Sequence, residues 1–107
     1  MLTLVAMSAL DVLADPTRRR IVELLAAGEL NAGAIAARFD SSRPAVSQHL
    51  GVLVEGGVLM VRRVGTQRIY RLDPAPLAEA GDWLSAQANR WAQALDALES
   101  ALNEEAI

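Results

Sequence analysis

The chain has 107 residues, a formal net charge of -3 and 52% hydrophobic residues. That length fits one domain spanning 1–107, and so small a core makes self-association an expected source of stability. Cysteine is absent, which excludes disulfides, thiolate metal sites and thiol redox switches. No apolar stretch approaches the roughly 20 residues that span a membrane. The apolar start from Met1 to Met7 has no basic lead and no cleavage region, so a soluble, cytoplasmic protein without a membrane partner is expected.

The acidic total argues at first sight against a nucleic-acid partner. Its distribution argues otherwise. Residues 1–37 sum to -1, residues 38–72 to +4 and residues 73–107 to -6. A basic middle on an otherwise acidic chain suggests an anion-binding segment.

In chain order, a first helix is expected from about Thr3 to Ala14, with Leu4, Met7 and Leu10 at helical spacing. Asp15-Pro16 is a helix start, because Asp caps and Pro suits the first helical position. The second helix runs to about Ala27 with Ile21, Leu24 and Leu25 inward, and Gly28 ends it. Asn31 caps a short third helix that buries Ile35, Ala36 and Phe39. Ser42 caps a fourth helix running to about Glu55, where Gly56-Gly57 stops it. Val58–Val64 and Gln67–Leu72 are rich in β-formers and flank Gly65-Thr66, which reads as a β-hairpin of open turn type.

Pro74 and Pro76 start the last helix, expected over about 76–103. Leu77, Leu84, Trp91 and Leu98 recur every seven residues, and Gly81, Ala88, Leu95 and Leu102 form a second such row. Together they make an a/d-like seam with Trp83 beside it. A helix of about 28 residues is ~40 Å long, more than so small a domain can cover. A second copy of the chain is the simplest partner. Leu4, Met7, Leu10, Leu84, Ala88, Trp91, Leu95, Leu98 and Leu102 are therefore the expected dimer interface.

The expected fold class is mainly α with a small β-hairpin, in the winged helix-turn-helix order α-α-α-α-β-β-α. The recognition helix is about 42–55 and the wing about 58–72. A helix fits the major groove of duplex DNA, its capped N-terminus favours phosphate, and its outer side chains reach base edges. Val46, Leu50 and Leu53 point inward, leaving Ala45, Gln48, His49 and Val52 largely outward. Arg43 and Ser47 are short reaches to phosphate, and Gln48 can pair bidentately with adenine. The hairpin gathers Arg62, Arg63 and Arg68 around its turn, which suits a minor groove or its phosphates. The expected DNA contacts are Ser42, Arg43, Ala45, Ser47, Gln48, His49, Arg62, Arg63, Thr66, Gln67 and Arg68. Arg18, Arg19 and Arg20 are read as structural or solvated and left out.

The run from Asp15 to Ile21, the run Ser42-Arg43-Pro44-Ala45-Val46-Ser47-Gln48-His49-Leu50, Gly57-Val58-Leu59 and the Arg62-to-Leu72 wing resemble the ArsR/SmtB family of bacterial repressors. The likeness covers nearly the whole chain in order. It implies a homodimeric transcriptional regulator, usually a repressor of its own operon, that dimerises through its first and last helices. It implies that Ser42–Glu55 is the recognition helix and the hairpin the wing.

The metal sensors of that family use a Cys pair or Asp/His/Glu clusters. Here Cys is absent and the one His lies in the recognition helix. Asp82, Asp96 and Glu99 are expected to form a solvated face, so no metal and no cofactor are expected. The expected partners are double-stranded DNA and a second copy, with an unidentified small apolar effector between subunits left open. The alternative is a winged-helix protein-interaction module that has lost DNA binding. An enzyme is not expected, because no nucleophile–base set, phosphate loop or metal cluster is present.

Overall fold

The computed structural model describes residues 4–105, with side chains from Ser8 onward. The interface expectations at Leu4 and Met7 therefore lie outside the described side chains. The order is α1 (Leu4–Val12), α2 (Pro16–Leu25), β1 (Leu30–Asn31), α3 (Ala32–Ala36), α4 (Arg43–Glu55), β2 (Leu59–Val64), β3 (Gln67–Leu72) and α5 (Pro74–Glu105).

The helix starts follow their caps. Asp15 accepts the Arg18 amide at 3.0 Å, Asn31 the Ala34 amide at 2.7 Å and Ser42 the Ala45 amide at 3.3 Å. Each bond satisfies an amide that the first helical turn leaves without a partner. Helix α4 ends in a Schellman motif. Val58 N–H donates to the Leu53 carbonyl and Gly57 N–H to the Val54 carbonyl, both at 3.0 Å. Gly57 takes φ 79°, which a side chain would resist. Leu53 and Val58, the hydrophobic pair of that motif, are both fully buried.

The hairpin gains a third strand. Two-residue β1 pairs antiparallel with β3, giving the sheet order β1-β3-β2. The sequence shows Asn31 only as a cap, because a strand of two residues has no periodicity to read. The turn at Gly65-Thr66 has positive φ at Gly65 alone, 62°. That fits a II′ turn, since I′ needs positive φ at both central residues.

The core sits where α2, α3 and α4 meet the sheet: Ile21, Ile35, Leu50 and Leu53 are at most 1% exposed. Ala36 and Phe39 are only half-buried against it. Helix α1 packs on the start of α5, where Ala9 and Ala80 are both buried. Asp73 N–H donates to the Val58 carbonyl at 2.9 Å and its carboxylate accepts the Ala75 amide at 3.2 Å, fixing the first turn of α5 to the residue that precedes β2.

Helix α5 then leaves the body. Its 32 residues span about 48 Å. The molecule extends 73 Å along its long axis with a radius of gyration of 19.4 Å, against about 13 Å for a compact chain of this length. Leu84, Trp91, Leu95, Leu98 and Leu102 are all at least 49% exposed along it. Among the described residues, no helix is long and apolar enough to cross a membrane.

Candidate nucleic-acid interface

Helix α4 has three faces. Val46, Leu50 and Leu53 enter the core. Ala45, His49 and Val52 are half-buried, and Val52 packs against the core. This corrects the outward reading of Val52. The row Ala45, His49, Val52, Gly56 repeats at helical spacing and turns toward the α1–α2 junction. There His49 Nδ1 lies 3.8 Å from Asp15 Oδ2, and a Cβ on Gly56 would lie 2.6 Å from Val12 Cγ1. The third face carries Arg43, Pro44, Ser47, Gln48, Gly51 and Glu55, all exposed.

The wing is divided by strand alternation. Arg63 stands directly opposite Arg68, and Arg62 opposite Ile69. Opposed residues share a face, so Arg63 and Arg68 lie on the face of buried Leu59 and Tyr70, beyond the edge of the core. Arg62 lies on the other face with Met60 and Val64. There its guanidinium donates two bonds to Glu29, one of them from Nη2 to Oε1 at 2.7 Å. The Arg62 bond and charge hold the Glu29 carboxyl below its usual range, with a further contribution from Arg71, and raise Arg62 in turn.

The α4 and wing faces meet. A groove of about 180 Å³ between α3, α4 and β3 is lined by Gly33, Arg43, Val46, Ser47, Arg68 and Tyr70 among others. A second hollow joins it toward the wing tip, lined by Asn31, Thr66, Gln67 and Arg68 among others. Arg43, Arg63 and Arg68 have no hydrogen-bond or ion-pair partner among the described residues. Two like charges directly opposed across strands repel, and an anion between them removes that cost.

A helix-turn-helix domain model matches residues 13–62. The chain is 53% identical over 70 residues to an HTH-type transcriptional regulator of Mycobacterium tuberculosis, covering 65% of each protein. It is 38% identical over 72 residues to the transcriptional repressor SdpR of Bacillus subtilis, covering 67% of this chain and 80% of that one. Among solved structures, a possible transcriptional regulator for arsenical resistance matches at 47% identity and TM-score 0.67, covering 71% of this chain and 79% of the other. A homodimeric winged helix-turn-helix domain from Mycobacterium bovis, a possible ArsR-family regulator, matches at 29% identity and TM-score 0.64, covering 79% of each. The chain belongs to the ArsR/SmtB family. The fold is the winged helix-turn-helix of that family, whose members are DNA-binding transcriptional regulators and not enzymes.

In this ArsR/SmtB chain the structure brings Arg43 and Ser47 to one groove with Arg68, which stands opposite Arg63, and Thr66 and Gln67 line the adjoining hollow at the wing tip; Ser42 and Gln48 are exposed on α4 and its cap. It separates Arg62, held by Glu29 on the opposite face of the wing. It also turns His49 and Ala45 toward the flank of α4. Gly51 and Pro44 on the exposed face, and Gly33 at the groove mouth, were not singled out from sequence. Their signal was available for Gly51: it falls three residues after Gln48 on the same helical face.

Two of the three arginines in the first turns of α2 close the end of α1. Arg18 Nε donates to the Val12 carbonyl at 2.6 Å, and Arg19 Nη1 to the Leu13 carbonyl at 2.8 Å. They satisfy carbonyls that the end of α1 leaves free. Asp15 sits within this junction. Its bond from the Arg18 amide, and then the charges of His49 and Arg18, hold its carboxyl below the ordinary aspartate range. No group of three or more His, Asp or Glu side chains among the described residues could hold a metal ion.

Proposed function

We propose that this chain is a homodimeric repressor that binds a palindromic operator in duplex DNA and regulates its own operon. Helix α4 enters the major groove with Ser47, Gln48 and the bare backbone of Gly51 leading. Arg43, Arg63 and Arg68 take the flanking phosphates. The observation that carries this reading is the set of three guanidiniums without a partner among the described residues: Arg43 and Arg68, which line the groove beside α4, and Arg63 directly opposite Arg68. A cytoplasmic location follows from that role.

The exposed row from Leu84 to Leu102 supports dimerisation through α5, continued by α1, as does the homodimeric state of the Mycobacterium bovis relative. The chain spans 65% of the length of its Mycobacterium tuberculosis relative, so its whole activity is proposed here on its own residues. The response is not to a metal: the chain has no cysteine, and its one histidine lies beside Asp15.

Footprinting of the purified protein on the DNA upstream of its gene tests the reading. A protected inverted repeat with half-sites about one helical turn apart is expected, with affinity that falls steeply with salt. Leu95→Asp should give monomers by light scattering and lose the footprint. Absence of protection at moderate salt, together with capture of a protein partner through α5, would favour the interaction-module alternative.

A further inference from the structure

The groove between α3, α4 and β3 has two unlike parts. Its floor is core: Val46 and Leu50 are 1% exposed and Tyr70 is 6% exposed. Its rim carries Arg43 and Ser47 from one side and Arg68 from the other, and no carboxylate lines it. Both guanidiniums lack a partner among the described residues. Gly33 lies beside it, where a Cβ would come within 3.7 Å of Arg43 Nη2, so any longer side chain there would crowd the groove. A DNA phosphate or a free inorganic anion satisfies the rim and leaves the apolar floor unused.

We propose that this groove binds a small carboxylate carrying a flat apolar group, and that such a ligand competes with DNA for Arg43 and Arg68. The carboxylate takes the forked guanidinium donors, and the apolar group lies over this floor against the half-buried Ala32 and Ala36 of α3. The binding half stands on the groove alone. The competition half rests on the DNA-binding reading above. It supplies an inducing chemistry for a regulator without cysteine, at the DNA face itself.

Benzoate is the probe, with benzamide and inorganic phosphate as controls, followed by amide NMR of the whole protein at low salt. Benzoate should shift the amides of Gly33, Ser47 and Arg68 with a dissociation constant on the order of 1 mM, as befits about nine non-hydrogen atoms. Benzamide and phosphate should each bind at least about tenfold more weakly, because each lacks one half of the match. Arg68→Ala and Gly33→Leu should weaken benzoate by a similar factor, and Arg90→Ala, on α5 where Arg90 bonds Gln87, should leave it unchanged. Equal binding of benzamide, equal binding of phosphate, or no shift at these amides overturns the site. Arg68 is on an exposed strand, so its variant remains informative should Gly33→Leu fail to fold. At constant ionic strength, benzoate at tenfold its dissociation constant should weaken DNA binding by the dimer about 100-fold, because both grooves must be empty. Binding without displacement overturns the competition. A protein that binds benzoate and no DNA overturns the proposed function and leaves the site standing.

Discussion

The division of the wing arginines makes a quantitative prediction. Arg63 and Arg68 share the groove-side face, and Arg62 is bonded to Glu29 on the other. In a twofold dimer, one Arg→Ala change per chain removes two phosphate contacts. Each contact contributes about -0.9 to the slope of log affinity against log salt, so Arg63→Ala or Arg68→Ala should reduce the slope by about 1.8. At 0.1 M salt, the same two contacts correspond to about 60-fold in affinity. Neither change should harm the fold, because each relieves a directly opposed like-charge pair worth ~0.2–1 kcal/mol. Thermal stability should hold or rise while DNA affinity falls. Arg62→Ala should leave the slope unchanged and cost less than about threefold in affinity, since its guanidinium already has a carboxylate. Fluorescence anisotropy on one operator duplex across a salt series, for the three variants in parallel, measures all of this. Equal loss of slope in Arg62→Ala, or no loss in the other two, would refute the assignment of faces.

Three further outcomes are expected. Gly56→Ala should destabilise by about 1–3 kcal/mol by overpacking, because its Cβ would lie 2.6 Å from Val12 Cγ1 in a buried contact; denaturant melts at fixed protein concentration would show it. Gly51→Ala meets open space within 4 Å, so it should stabilise by about 1 kcal/mol through helix propensity while weakening DNA binding if the backbone approaches the groove floor; a rise in both would remove Gly51 from the interface. The depressed Asp15 carboxyl contributes stability that is present above its unfolded value and lost as pH falls through its folded value. Asp15→Asn keeps the capping oxygen and removes the charge, so its stability should lie below wild type near neutrality and the two should converge only in acid; parallel curves across that range would contradict the charge argument.

The helix boundaries were legible because each rests on a local device: Asp15, Asn31 and Ser42 at starts, Gly57 at a stop. The inward residues of α4 were legible because Val46, Leu50 and Leu53 follow the helical period. What local pattern could not give was the assignment among residues that are polar or half-buried. Val52 looks outward on a helical wheel drawn for one packing partner, but α4 has two, the core and the α1–α2 junction. His49 faces Asp15 for the same reason, across 34 positions of sequence. Strand alternation does separate Arg62 from Arg63, yet only the arrival of β1 and Glu29 decides which face is closed by an ion pair. That pairing spans 33 positions and has no sequence signature.

The same pairings change what the net charge means. All ten basic residues are arginine, and composition counts them alike. Arg18 and Arg19 hold the carbonyls that end α1, Arg90 bonds Gln87 on α5, and Arg62 is matched by Glu29. Residues 38–72 carry +4, and subtracting the Arg62 charge that Glu29 neutralises leaves +3. That remainder includes the three guanidiniums around the groove and the wing. Their force on an anion comes from lacking partners among the described residues, since a surface pair at contact distance cancels most of its field beyond a Debye length of about 10 Å. The acidic residues of α5 lie along the helix that leaves the body. They set the total without entering the groove, whose lining contains no carboxylate. An acidic protein can thus present a cationic face to DNA because distance and pairing, more than the sum, determine the local potential.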